Sequence, residues 1–436
     1  MAAGFGGFVA DTAASGELVV QPRMGFGDVA TMRAGLLATK GARAATAGTI
    51  TVDSYTRVGD LDSAAAALAS GAALNGYPLV SHGVAVNREL LRGVRDATFP
   101  VQVRHGSANP GKVFEALLDV GLDATEGGPV SYCLPYSRIP LSQAVNHWAR
   151  GCELLATRGQ AAGREPHLET FGGCVLGQLC PPGQLVALSV LEGLFFQAYG
   201  LRDISLSYAQ QTSPEQDIEA VLALRALAEE FLAGVRWHVV VYAYMGVYPQ
   251  TPRGAASLLT AAAELAVRTG AERLIVKTEA ESRRIPTIEE NVAALELAGT
   301  AARAARPVAP PPSRTDSQVY AEARRLVEAT LELHQDVGRA LLRAFKLGYL
   351  DIPYCVHPDN RGAARSHIDG DGALRWADIG ALPLDGLVAR RRSRPVGSAE
   401  LLDALHYVQR RHDAGSECPG LEHADGGGRS DHDEGY

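Results

Sequence analysis

Nine short apolar runs, near 17–22, 48–53, 77–82, 100–104, 120–125, 167–171, 203–208, 237–243 and 272–277, alternate with stretches rich in alanine and leucine. Runs this short read as buried strands, and the stretches between them are long enough for helices. Two parallel strands need a crossover between them, so regular alternation predicts a parallel α/β fold. The pattern lasts roughly 300 residues, which favours a TIM (β/α)8 barrel over an open nucleotide-binding sheet. A barrel takes eight strands, so one of the nine runs is surplus or peripheral. No GxGxxG follows the first run and no GxxxxGK with Ser or Thr occurs, so dinucleotide and phosphate-loop readings lack their cradle.

Three runs near the N-terminus end on an arginine: LVVQPR at Arg23, TITVDSYTR at Arg57 and FPVQVRHG at Arg104. A fourth, followed by GGPVSYCLPY, ends on Glu126. In a parallel barrel all strands finish on one face, so these four side chains can converge on one pocket. Arginine makes forked bonds to carboxylates, and a carboxylate takes an ammonium. The set therefore predicts a receptor for a small amino dicarboxylic acid. Gly127 and Gly128 are expected to let a ligand approach the backbone, with Tyr132 and Tyr136 supplying hydroxyls and flat faces. A glycine turn with two packing tyrosines fits that stretch as well. His82 and His105 read equally as core histidines or functional ones.

Net charge is −8, with 41 basic and 49 acidic residues and no dominant basic tract. Nucleic acid and anionic membranes are therefore not expected partners. Positive charge is almost entirely arginine, with lysine only at 40, 112, 277 and 346. The six cysteines form no CxxC pair and no zinc spacing, so no metal site is expected and the thiols suit a reducing cytosol. The first residues lack a basic leader, and no apolar run approaches the ~20 residues that span a bilayer. These features predict a soluble, cytoplasmic protein.

The expected organisation is a barrel over 1–305, a proline-rich linker at 306–315, and a mixed α/β extension at 316–395 packed on the barrel or on a partner. In that extension, DSQVYAEARRLVEATLELHQDVGRALLRAFKLG predicts one helix or two, opening at Asp316 or Ser317 and closing at Gly348. Residues 396–436 are expected to hold one more short helix and a disordered polar tail, in which His423 and His432 are solvated.

The motifs QPRMG, DSYTR, LNGYP with SHG, RHG, EGGPVSY with LPY, ETFGG, YMGVYPQ and VKTEAESRRIPT occur in this order. With them the sequence closely resembles glutamate mutase (methylaspartate mutase), in its large, epsilon-type catalytic subunit. KLGYLDIPY extends the resemblance to about residue 390; the tail has no counterpart. The resemblance implies a TIM barrel and an adenosylcobalamin radical isomerase that interconverts L-glutamate and (2S,3S)-3-methylaspartate. It implies a separate small subunit whose DxHxxG histidine ligates cobalt, and a heterotetrameric assembly. This chain has no DxHxxG; RSHIDG comes nearest, with Arg365 in place of the aspartate.

Residue by residue, the resemblance assigns Arg23, Arg57 and Arg104 to the substrate and Glu126 to its amino group, as the catalytic carboxylate. Tyr132, Tyr136 and Phe171 line the substrate. Lys277 and Glu281 hold the adenosyl ribose, and Gly25, Met245 and His105 lie towards the cofactor. In the mechanism implied, cobalt–carbon homolysis starts hydrogen abstraction from the substrate's γ carbon. The substrate then fragments to a glycyl radical and acrylate, which recombine. There are departures: the family's Arg-Glu-Pro-Phe-Gly reads Leu168-Glu169-Thr170-Phe171-Gly172 here, and SYAQQTS replaces a glycine-containing turn. Two other readings remain at this point, an isomerase of a related amino dicarboxylate and a non-catalytic docking paralogue.

Overall fold

Eight parallel strands pair in sequence order: β1 (Val19–Gln21), β2 (Gly48–Thr51), β3 (Val101–Arg104), β4 (Ala124–Gly127), β5 (His167–Thr170), β6 (Asp203–Ala209), β7 (Arg236–Tyr242) and β8 (Arg273–Ile275). Strand β1 pairs with β8, and Val20 bridges Thr46 just ahead of β2, which closes the ring. This is the expected TIM-type barrel, seen in a computed structural model that describes residues 4–305, 315–388 and 397–414. Helices follow the strands on the outside, and among the described residues none is long and apolar enough to cross a membrane.

The surplus run is 77–82. Tyr77 makes only an isolated bridge to Val52, and Leu79 begins a helical segment that kinks at Gly83 and runs on to Leu91. Pro78 stands at the cap of that helix. Its fixed φ suits a helix start, and it has no N–H to give to a ladder. The YPLV run is too short for periodicity to tell strand from helix.

The inside of the barrel is polar. Gln21, Thr49, Gln102, Glu169, Ser205 and Arg273 all have no solvent exposure. Unpaired, each would be costly to bury; here they bond to one another. Arg273 donates to Gln21 Oε1 (2.6 Å), Ser205 Oγ (2.9 Å) and Glu169. Gln21 Nε2 donates to Thr49 and Gln102, each at 2.8 Å. Below this layer His167 bonds Asp203 (2.9 Å) and stacks on His238. The helix Phe5–Ala14 closes the bottom, with the Phe5 ring against His167 and the Arg273 guanidinium.

The helices Gln318–Leu331 and Val337–Leu347 form as the caps predict, the first opening at Ser317 and the second ending at Gly348 with φ 83°. Gln184 of the barrel helix Pro182–Ala198 reaches the chain beyond them, donating to the Leu350 and Asp351 carbonyls. An antiparallel hairpin, β9 (Arg365–Ile368) and β10 (Leu374–Asp378), follows. Where one short helix was expected after 396 there are two, Ser398–Leu405 and Tyr407–Ala414. The expected linker, apart from Thr315, and the tail with His423 and His432 lie outside the described residues.

Candidate active site

At the carboxyl ends of β1 to β5 a cavity of about 580 Å3 opens, lined by Arg23, Arg57, Arg104 and Glu126 together. The residues reach it by different routes. Arg104 is the last residue of β3 and Glu126 lies near the end of β4. Arg23 lies two residues past β1. Arg57 does not end a strand; it sits on the short helix Ser54–Val58. Asp53 causes that turn, since its carboxylate accepts the Tyr55 and Thr56 N–H groups at 2.9 and 3.0 Å and so caps a helix.

The floor is built around Arg104, which is 4% exposed. Its Nη2 lies 3.3 Å from Glu126 Oε2 and its Nη1 3.5 Å from Glu169 Oε1. Nη1 also donates to the Tyr242 hydroxyl at 2.7 Å, and that hydroxyl donates in turn to Glu169. Burial pushes the Glu169 carboxyl up, but Arg273 and Arg104, with bonds from Tyr242 and Gln102, outweigh it and hold it at about 2. Glu126 goes the other way. Burial raises its carboxyl, Arg104 opposes, and the charge of Glu169 raises it further. Two neighbouring carboxylates thus have different tasks available: Glu169 is a fixed anion, and Glu126 is disposed to hold a proton.

His105 is 2% exposed and packs against Phe114, Tyr132 and Trp148. Its backbone N–H donates to Glu126 Oε1 at 3.1 Å. Burial lowers the imidazole to about 3, and Arg57 and Arg104 lower it too, so the ring is neutral. The Ser107 N–H donates to Nδ1 at 3.0 Å, which assigns the proton to Nε2. Four buried polar atoms on the wall of this cavity find no hydrogen-bond partner: Thr51 Oγ1, Arg57 Nε, His105 Nε2 and Glu126 Oε2.

Tyr132, Tyr136 and Phe171 form one aromatic wall, with Tyr132 and Phe171 ring centres 5.0 Å apart and Tyr136 43% exposed at the mouth. Glu192, from the helix Pro182–Ala198, ties that wall together. It accepts the Ser131 N–H (2.9 Å) and the Phe171 N–H (3.1 Å), and so fixes the ends of β4 and β5 at once. The glycines after Glu126 serve this packing rather than an approaching ligand. A Cβ at Gly127 would lie 2.5 Å from Trp148 and 2.6 Å from Tyr132, and one at Gly128 would lie 2.0 Å from Glu192 Oε1.

At the rim Arg23 pairs with Glu281 at 3.4 Å, and Gly25 lines the same opening. A side chain at Gly25 would strike the Thr51 carbonyl. Lys277 and Met245 are not on this wall. Lys277 lines a smaller neighbouring cavity of about 180 Å3 and places Nζ 4.4 Å from the centre of the Tyr248 ring. Burial brings its ammonium down to about 8, against the pull of Glu281. Met245, three residues past β7, packs beside Gly177.

Sequence reasoning missed four residues that shape this site: Glu169, Tyr242, Arg273 and Glu192. For Glu169 and Arg273 a signal existed. Each is a charge inside a run otherwise read as a buried strand, HLET and RLI, and such a charge needs a partner. Glu192 carries the same signal, a lone charge in the apolar stretch LVALSVLEGLFF, whereas Tyr242 ends an apolar run that reads as plain core.

The chain matches the family model described as methylaspartate mutase E chain (MutE) over residues 3–397. It is 33% identical over 349 residues to a glutamate mutase epsilon subunit of Halobacterium salinarum, a match covering 77% of this chain and 72% of that one. A glutamate mutase epsilon subunit of Haloarcula marismortui is 32% identical over 77% of this chain and 70% of its own. One from Yersinia enterocolitica is 30% identical over 77% and 72%.

Proposed function

This chain belongs to the methylaspartate mutase E-chain family, and we propose that it is the substrate-holding subunit of a glutamate mutase, an isomerase interconverting L-glutamate and (2S,3S)-3-methylaspartate with adenosylcobalamin. One observation carries the substrate assignment. The atoms of the cavity left without a hydrogen bond are two donors, Arg57 Nε–H and His105 Nε2–H, one carboxyl acceptor, Glu126 Oε2, and the Thr51 hydroxyl. Buried polar groups in folded proteins are rarely left unsatisfied. An amino dicarboxylate supplies what these atoms lack, with acceptors for the donors and an ammonium for Glu126.

The arginines hold the two carboxylates, and Glu126 holds the ammonium beside Arg104. Fixing both ends keeps the glycine-derived and acrylate halves of the substrate within reach of each other during rearrangement. Glu126, already raised by burial, can take a proton from the ammonium and return it. The wall of Tyr132 and Phe171 keeps water from the reacting carbons.

The residues fit the cofactor. A cavity of about 580 Å3 lies within the ~300–1,000 Å3 range of sites for drug-sized ligands, which leaves room for an adenosyl group above a five-carbon amino acid. Gly25 and Glu281 line its opening, and Lys277, on the smaller cavity, is a buried cation suited to a hydroxyl-rich ligand. We assign Lys277 and Glu281 to the ribose, Met245 to the cofactor side, and His105 to the boundary between substrate and cofactor. Adenosylcobalamin, when bound, supplies the homolytic chemistry that starts the rearrangement. A small subunit with a DxHxxG motif would bring it, in a heterotetramer. The five cysteines of the described residues are buried thiols, which suits the reducing cytoplasm.

The test is substrate choice. The chain, combined with such a subunit and adenosylcobalamin, is offered L-glutamate, L-2-aminoadipate and glutarate. Isomerisation of L-glutamate alone supports the reading. Faster turnover of aminoadipate would move the assignment to that acid, and conversion of glutarate would remove Glu126 from its role.

A further inference from the structure

The helices Ser398–Leu405 and Tyr407–Ala414 lie beyond residue 397, where the family match ends. Nothing in the reaction uses them, yet the second is clasped to the barrel mouth. Asp413 accepts the Gln250 and Thr251 N–H groups, each at 3.0 Å, and the Thr251 hydroxyl at 2.6 Å. It thereby sits at the N-terminus of the helix Pro252–Thr269, where a negative charge is favoured. His412 Nδ1 lies 3.2 Å from Ser257 Oγ on that helix, and Arg411 donates to the Thr212 carbonyl past β6 at 3.3 Å. Val408 is 3% exposed and packs in one cluster with Tyr244, Tyr248 and Leu258.

The Asp413 and Val408 contacts bear on the loop between β7 and the helix Pro252–Thr269, and that loop carries Tyr248. Tyr248 is 3% exposed and its ring lies under the Lys277 ammonium. We propose that Tyr407–Ala414 is a positioning strap. By fixing the β7 loop it sets Tyr248 against Lys277, and so holds in place the ammonium assigned to the cofactor's ribose. The cofactor part rests on the glutamate mutase reading; the strap's hold on Lys277 does not. Lys277 feels few other charges: Glu281 and Arg23, with Glu279 and Glu290 on its own small cavity. None of these touches the strap in the bonds described.

The experiment compares the full chain with Asp413→Ala and the milder Asp413→Asn. Lys277 is one of four lysines, so its reductive methylation can be followed by peptide mass spectrometry across pH 7–10 without any turnover. In Asp413→Ala the loop loosens and Lys277 gains water. Its titration should move up from about 8 towards the ordinary lysine range, with Asp413→Asn in between. In the reconstituted complex the apparent KM for adenosylcobalamin should rise about threefold to tenfold, the value of a lost ring contact or hydrogen bond. kcat and the KM for L-glutamate should stay within about twofold, since no substrate contact changes. An unchanged Lys277 titration in both variants overturns the proposal, as does an equal loss in kcat and glutamate KM, the mark of general destabilisation. If the wild-type complex fails to isomerise glutamate, the functional reading falls while the methylation result still decides the strap.

Discussion

Arg104 and Glu126 face each other at 3.3 Å in a wall that leaves them 4% and 1% exposed. They are paired by charge, but no hydrogen bond closes on Glu126 Oε2. The carboxyl is therefore held in place by Arg104 while Oε2 still lacks a hydrogen bond. Arg104 in turn is fixed from behind by Tyr242 and Glu169, so its orientation is set before any substrate arrives.

Arg104→Lys should lower kcat/KM for L-glutamate by about tenfold to a hundredfold, the value of one charge-assisted bond of roughly 1.5–3 kcal/mol. A lysine keeps the charge and loses the fork. Tyr242→Phe should act in the same direction, because it frees one arm of Arg104, and the double variant should lose less than the sum of the two effects. Steady-state kinetics on the three variants checks this. Additive losses would mean that Tyr242 does not act through Arg104.

Glu126→Gln should cut turnover roughly a hundredfold or more, the usual weight of a lost general base, without lowering the melting temperature at pH 7. The stability half follows from the raised carboxyl. Between the unfolded and folded pKa the native state keeps a proton that the unfolded chain has released, so stability falls as pH rises through that window. At neutral pH an ionised Glu126 is a burden that glutamine removes. Thermal melts and turnover on one preparation decide it: a lowered melting temperature with normal turnover would make Glu126 a structural anchor.

The same physics decided what the sequence revealed. The VVVY end of strand β7 is buried on both faces and reads as an unbroken apolar run, which is why its place was legible. The arginines and Glu126 were legible because parallel strands finish on one face. Arg57 was misplaced by one element, since Asp53 capping a five-residue helix looks in sequence like a polar strand end. The sequence left two readings open for Gly127 and Gly128 because the Trp148 and Glu192 atoms they make room for come from distant helices. The C-terminal strap was illegible for a similar reason: Asp413 matters through Gln250 and Thr251, more than 160 residues away.

Glu192 gives a test of the aromatic wall by pH. Burial raises its carboxyl to about 7, although the Ser131 and Phe171 N–H groups oppose this. Its contribution to stability should therefore be greatest near pH 4.5 and fall as pH rises to about 7. In Glu192→Gln that slope disappears, and the amide NH2 confronts an N–H donor on one side. The stability difference between wild type and variant should shrink from pH 4.5 to 7.5, and the KM for L-glutamate should rise as Phe171 and Tyr132 shift. A pH-independent difference between the two melting curves would refute the titration assigned to Glu192.

The most direct test is an omission experiment. This chain, a small subunit carrying DxHxxG, adenosylcobalamin and L-glutamate are combined without air, and 3-methylaspartate is measured by chromatography. Product should form in the full mixture and vanish when either protein or the cofactor is left out, because the proposed assignment gives the substrate to this chain and the cobalt-ligating motif to the small subunit. Full turnover without the small subunit, or no product from a folded complex that binds both cofactor and L-glutamate, would contradict the assignment.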